Sequence, residues 1–312
     1  MTRFLSAACL VTLLAAPCWA EDPPVFLLKW GSQGSGPGQF GYPVGIAAGP
    51  NDDIYITDGS LNRVQRFTSN GSFICDVGTS GTGDGQFNGC NGVAVGPDNL
   101  VYVGDFFNRR FEVFDGNCTY TRQWTIPGSL GTGYIATDPV LGRVYTAASR
   151  YLLMFDTTGT YLGSWDYLGY DPAGSFPFAV GPSGSLYFPD QARASVRVFS
   201  SNGVFLRSWG TFGQGPGQLD NPYALAIDTR ENVYVVDSNR RVQEFTSDGQ
   251  FLTTWGSPGS GDGQFLGIQD LCVDSHGDVY VLEWVNYRVQ KFGPAPTPTL
   301  RRTWGSLKRA YR

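Results

Sequence analysis

A glycine-rich loop followed by two short apolar runs recurs along the chain, and this recurrence restricts the fold more than any other property. Residues 34–58 read GSGPGQFGYPVGIAAGPNDDIYITD, and residues 81–105 read GTGDGQFNGCNGVAVGPDNLVYVGD. Residues 213–237 and 259–283 repeat the pattern as GQGPGQLDNPYALAIDTRENVYVVD and GSGDGQFLGIQDLCVDSHGDVYVLE. Self-similarity at such a period marks units that bury their apolar faces only against neighbouring copies. Tyrosines of the second apolar run register six copies: Tyr55, Tyr102, Tyr145, Tyr187, Tyr234 and Tyr280, at intervals of 47, 43, 42, 47 and 46 residues. A run ending in Phe follows each, at Phe67, Phe114, Phe155, Phe199, Phe245 and Phe292. Ten residues after four of these Phe lies a tryptophan: Trp124, Trp165, Trp209 and Trp255.

Each copy holds four strand-length runs. In the second they are NGVAV, LVYVGD, RFEVF and TYTRQW, separated by GPDN, FFNRR and DGNC. Short runs bounded by Gly, Asn, Asp and Pro read as an antiparallel meander. With 42 glycines, 19 prolines and 16% charged residues, the composition argues against a helical bundle. A lone four-stranded sheet cannot bury both faces, whereas six packed around an axis can. The predicted fold is therefore all-β, a six-bladed β-propeller of four-stranded antiparallel blades. The glycine-rich loop then carries the chain from the outer strand of one blade to the inner strand of the next. It leads into no helix, which argues against a phosphate cradle.

Ring closure has two candidates for the missing outer strand, VFLLKWG at 25–31 and TLRRTWG at 299–305. Residues 25–31 enter the usual connector, whereas 299–305 follow GPAPTPT, whose prolines lack the N–H donors of a tight turn. The N-terminal strand is therefore expected to complete the sixth blade.

The phrases GxGxGQF, GVAV, YVxD, NxRV and the final WG resemble NHL repeats over about residues 25–305, of the exported bacterial type. Six such repeats imply the same six-bladed propeller. Copies three and four depart from the pattern, with TIPGSLGTG and YLGYDPAGS in place of GxGxGQF, and copy three ends its second run as YTAA (145–148).

Residues 1–20, MTRFLSAACLVTLLAAPCWA, have one early Arg, an apolar run and small residues up to Ala20, the pattern of a signal peptide. A lipidated Cys9 or Cys18 is the alternative for this segment. The expected organisation is a leader at 1–20, the propeller at 21–305 and a basic tail at 306–312, in a secreted or periplasmic, monomeric protein without a membrane span. Removing residues 1–20 takes away one Arg and no acid, so the net charge of −5 becomes −6. That acidity argues against nucleic acid as a partner, although RRTWGSLKRAYR (301–312) holds five basic residues. Four cysteines remain, Cys75, Cys90, Cys118 and Cys272. Cys272 replaces the alanine of VAV and is expected as a small buried thiol. If a disulfide forms, Cys75–Cys90 is the expected pair.

The acids closing the second runs, Asp58, Asp105, Asp190, Asp237 and Glu283, are expected to cap turns, and Arg63, Arg110, Arg240 and Arg288 to pair with them between blades. A carboxylate ring holding a divalent cation such as calcium is the alternative reading, but calcium needs several converging oxygens. The peptide-amidating lyase has a similar architecture and holds its metal with several His; this chain has one, His276. No catalytic constellation and no cofactor requirement emerges. Positions at the start of the inner strand differ between copies while their neighbours repeat, which marks them as free to specialise. They include Asn91, Tyr134, Phe176, Tyr223, Gln269 and Asp270, with Phe106, Phe107 and Trp284 in loops of the same face. Rim aromatics favour protein, peptide or glycan contacts, the alternative being that they merely cover neighbouring blades. The reading is a binding module; the rival is a lactonase-like or lyase-like propeller using a divalent cation at the channel mouth.

Overall fold

A computed structural model describes residues 21–128, 131, 133–148, 150–167 and 177–294. Six four-stranded antiparallel sheets make the six blades. Blade 2 is representative: Cys90–Val95, Val101–Asp105, Arg110–Phe114 and Tyr120–Thr125 run from the axis outward. The inner strands contact one another in a closed circle, from Pro43–Ala48 of blade 1 round to Ile268–Val273 of blade 6. Among the described residues there is no helix.

The second strand of each blade is buried on both faces, as in Ile54–Asp58 and Val279–Glu283. A sheet sandwiched between two others excludes water from both sides, so these strands read as apolar runs rather than alternations. The outermost strands alternate instead, as in Tyr120–Thr125, because one face looks to solvent. Each seam between blades carries its own apolar cluster; Phe40, Ile46, Ile56, Tyr280, Leu282 and Val289 fill the one between blades 6 and 1.

Ring closure follows the sequence expectation. The strand Val25–Trp30 pairs antiparallel with Arg288–Gly293 and supplies the fourth strand of blade 6. Residues 299–305, the leader and the tail at 306–312 lie outside the described residues.

The connectors are built alike. In the first, Gln39 Oε1 accepts the Gly36 N–H at 2.9 Å and Phe40 is fully buried between blades. Arg63 donates to the Gly36 and Gln39 carbonyls, each at 2.9 Å. Arg110, Arg241 and Arg288 hold the equivalent loops in the same way. Where the sequence placed the Arg–acid pairs between blades, they form within one: Arg110–Asp105 at 2.9 Å and Arg241–Asp237 at 3.0 Å. Acid and Arg end adjacent strands of one hairpin, so they face each other directly (Arg110 opposite Asp105). The partner in blade 5 is Arg241 and not Arg240, which is exposed.

At four seams the tryptophan ending an outer strand lies on a glycine in the next blade's outer turn. The pairs are Trp30 on Gly71, Trp124 on Gly159, Trp165 on Gly203 and Trp209 on Gly249. A Cβ at any of these glycines would come within 2.6 Å of the indole, so only glycine admits the ring.

The expected Cys75–Cys90 pairing is wrong. Cys75 bonds Cys118, with Cα atoms 6.4 Å apart. Cys75 lies mid-strand in Phe73–Val77 and meets the outer turn of blade 2, which the repeat spacing alone does not place beside it. Cys90 is a buried free thiol 3.1 Å from the Asp58 carbonyl, and burial pushes its pKa up. Cys272 is free and buried, as expected.

Candidate functional site

The face bearing the loops into the inner strands is fixed by the buried acids. Asp58 accepts the Gly41 N–H at 2.6 Å and the Tyr42 N–H at 2.9 Å. Asp105 accepts the Asn88 N–H at 2.8 Å, and Glu283 the Leu266 N–H at 3.0 Å. These carboxylates are consumed by backbone donors and arginines away from the axis, so their arrangement is that of loop anchors. Asp190 pairs with Arg193 at 2.8 Å in the same face of blade 4.

At the channel mouth the Tyr134 hydroxyl of blade 3 lies near Gln269 and Asp270 of blade 6 and Tyr42 of blade 1. Blades 3 and 6 stand opposite in a ring of six, so this side chain spans the opening. Burial pushes the Tyr134 hydroxyl pKa up. Its backbone passes close to Gly92, where a Cβ would lie 2.8 Å from the Tyr134 Cα. Beneath it is a channel cavity of about 180 Å³, lined in part by Tyr134, Pro177, Phe178, Leu225 and Asp270. Asp270 is buried, and loss of water pushes its pKa up to about 7 against the lowering effect of the Ile46 and Leu271 N–H groups. Its carboxylate accepts Ile46 N–H across the closing seam at 3.2 Å. It therefore acts as part of the channel wall rather than as an open ligand.

Around the mouth stand exposed aromatic rings. Trp284 and Tyr42 touch at 6.0 Å with planes at 58°. Phe106 and Phe107 meet edge to face at 5.1 Å, and Phe107 is 66% exposed. Glycines make room for them: a Cβ at Gly267 would lie 2.7 Å from the Trp284 Nε1, and one at Gly89 2.8 Å from the Phe107 ring. Tyr42 escaped the sequence reading although it carried a signal, since the aligned positions are Gly89, Asn221 and Gly267. Asn91 turns its carbonyl to the Thr57 hydroxyl, and its side-chain Oδ1 is buried without a partner.

The structure thus joins Tyr42, Tyr134, Gln269, Asp270 and Trp284 into one cluster, with Asn91, Phe106 and Phe107 on the neighbouring blade. Tyr223 does not belong to it. It packs against the core shared by blades 5 and 6, near Asp237 and Arg240. Phe176 lies outside the described residues.

The opposite mouth holds a cavity of about 450 Å³ ringed by Pro50, Pro97, Pro139 and Pro182. Here Asp52, Asp274 and His276 bring donor atoms within 4.8 Å of one another. Asp52 already binds Ser275 and His276, and Asp274 accepts the His276 and Asp278 N–H groups and the Tyr280 hydroxyl. This set serves the turn and the seam.

An NHL repeat model matches residues 40–67 and 265–292. A curated relative, NHL repeat-containing protein 3 of Mus musculus, is 28% identical over 118 residues, 34% of this chain. The chain thus spans about a third of that relative's length, the covered share being 34%. A structural genomics protein of unknown function from Bacteroides thetaiotaomicron VPI-5482 superposes with a TM-score of 0.65 at 19% identity, covering 85% of this chain and 74% of that one. Catalytically inactive virginiamycin B lyase from Staphylococcus aureus with quinupristin gives 0.60 at 10% identity, over 87% and 98%. At these identities the structures share the fold alone. The chain is a six-bladed β-propeller that carries NHL repeats in its first and last blades.

Proposed function

We propose that this propeller is an exported binding module that takes a protein or peptide at the mouth spanned by Tyr134. The observation that carries this is the set of exposed rings on anchored loops, Trp284 with Tyr42 and Phe106 with Phe107, beside the half-buried side chains of Asn91 and Gln269. Exposed aromatics flanking a concave mouth with a few polar groups fit a recognition surface. Both ring pairs are angled to each other, which forms notches for side chains rather than the flat platform that stacks a sugar. The leader-like residues 1–20 and the Cys75–Cys118 disulfide support an oxidising, exported setting. The rival lyase-like or lactonase-like reading gains no histidine at this mouth, because His276, the single histidine of the chain, stands at the opposite one.

Panning the mature protein against a peptide display library, alongside a glycan array, tests the proposal. Enriched peptides should lose roughly tenfold or more in affinity to Trp284→Ala and to Phe107→Ala, with thermal stability unchanged. Glycan hits alone, or peptide binding indifferent to both variants, would overturn it.

A further inference from the structure

The seam between blades 1 and 2 has neither the tryptophan nor the glycine of the four indole–glycine contacts. Val77 occupies the place of the seam tryptophans: it pairs with Val64 as Trp209 pairs with Val196. Across that seam, Cys118 occupies the place of the seam glycines, with a φ of 61° where Gly71, Gly159, Gly203 and Gly249 have 76°, 96°, 81° and 84°. A left-handed φ at a non-glycine residue is disfavoured; the Asp115 carboxylate holds this turn by accepting the Asn117 and Thr119 N–H groups at 2.8 and 2.9 Å, and the Cys75–Cys118 bond ties it to blade 1. Where an indole would rest on glycine, a covalent link joins the same two elements.

We infer that the Cys75–Cys118 disulfide is a redox-sensitive lock on the seam between blades 1 and 2, and that reducing it loosens the half of the aromatic site straddling that seam. The inference rests on the binding reading for its functional meaning. A dithiol reductant delivers two electrons and two protons, splitting the Sγ–Sγ bond into two thiols while itself closing to a disulfide. No indole then wedges the seam. What remains between the blades includes Thr57 on the Asn91 carbonyl, Gly89 N–H on Asn62 at 2.7 Å, and Arg66 on the Gly116 carbonyl. The first two contacts are made by the segments that carry Asn91 and support Phe107. These contacts and the bond hold the same seam. At the other seams a reductant finds no bond to break.

Hydrogen exchange on the full chain, oxidised and after dithiothreitol, reads this without any ligand, so it stands apart from success or failure of the panning experiment. Reduction should speed exchange roughly tenfold in 73–77, 115–119 and 88–91, and leave 205–209 and 246–251 unchanged. The variant Cys75→Ala/Val77→Trp/Cys118→Gly should restore the indole wedge, exchange like the oxidised protein and ignore the reductant. A rise spread evenly over all seams, no rise in 73–77 and 88–91, or a triple variant as loose as Cys75→Ala/Cys118→Ala would overturn the inference.

Discussion

Glu112 departs from its column in the repeat. Gln65, Gln243 and Gln290 each accept a connector glycine N–H and donate back to a connector carbonyl, as Gln65 does to Gln39 at 2.8 Å. Glu112 accepts Gly85 N–H at 3.1 Å but, once ionised, has nothing to donate. Burial pushes its pKa up to about 7, against the lowering effects of the Gly85 N–H and then Arg110. A carboxyl whose pKa is raised on folding binds its proton more tightly in the native state. Its contribution is therefore most favourable below the ordinary carboxylate range and is lost as pH rises towards 7. Glu112→Gln should raise stability by about 1–3 kcal/mol at pH 8 and by less at pH 5, as measured by urea melts at the two pH values. Equal shifts at both would contradict this account. Gly249→Ala tests the opposite kind of column, one that must not vary. The added Cβ would meet Trp209 at 2.3 Å in a turn with φ of 84°, and a loss of about 2–4 kcal/mol is expected from the clash and the strained backbone together. The candidate site was only half legible at this scale. Asn91, Gln269 and Tyr134 stood out because they break the repeat, while Tyr42 broke it equally and went unread.

Among elements, the strand Val25–Trp30 has the greatest leverage. It completes blade 6, its Trp30 wedges Gly71 of blade 1, and Lys29 reaches Asp262 at 2.6 Å. Deleting residues 21–31 should lower the melting temperature by several degrees or more, because it exposes an edge and empties a seam. Deleting 299–312 should change it little, and differential scanning calorimetry of both truncations decides. The strands themselves were readable since their apolar runs and turns repeat six times. Blades 3 and 4 were placed mainly by spacing, and the inner strand of blade 4 is reduced to Ala179–Val180. Pro177 precedes it and brings no N–H to a ladder. Pairing across seams was less legible, because repeat spacing fixes neighbours within a sheet and not which side chains meet between sheets. The Cys75–Cys118 bond was nevertheless written in the alignment, as the one valine in a column of tryptophans and the one cysteine in a column of glycines.

On the scale of the molecule, the bond and the closing strand divide the work of keeping a ring shut. By loop closure alone, a link across a sequence separation of 43 contributes about 4 kcal/mol. The double variant Cys75→Ala/Cys118→Ala should therefore melt lower than the oxidised protein, and match the reduced protein within error; a variant that melts like the oxidised form would show the bond to be dispensable. The closing strand has a different consequence, for the order of events in synthesis. Val25 pairs with Gly293, at the far end of the described chain. Of the described strands, the first to be synthesised is thus the last to find its place, and until then its apolar side chains lack their partners in blade 6. Five blades can form as the chain lengthens, but the sixth waits for both ends. A chain interrupted anywhere before Arg288–Gly293 is an open arc with two unpaired flanks, prone to pair with its own kind, and closure is the step at which that hazard ends.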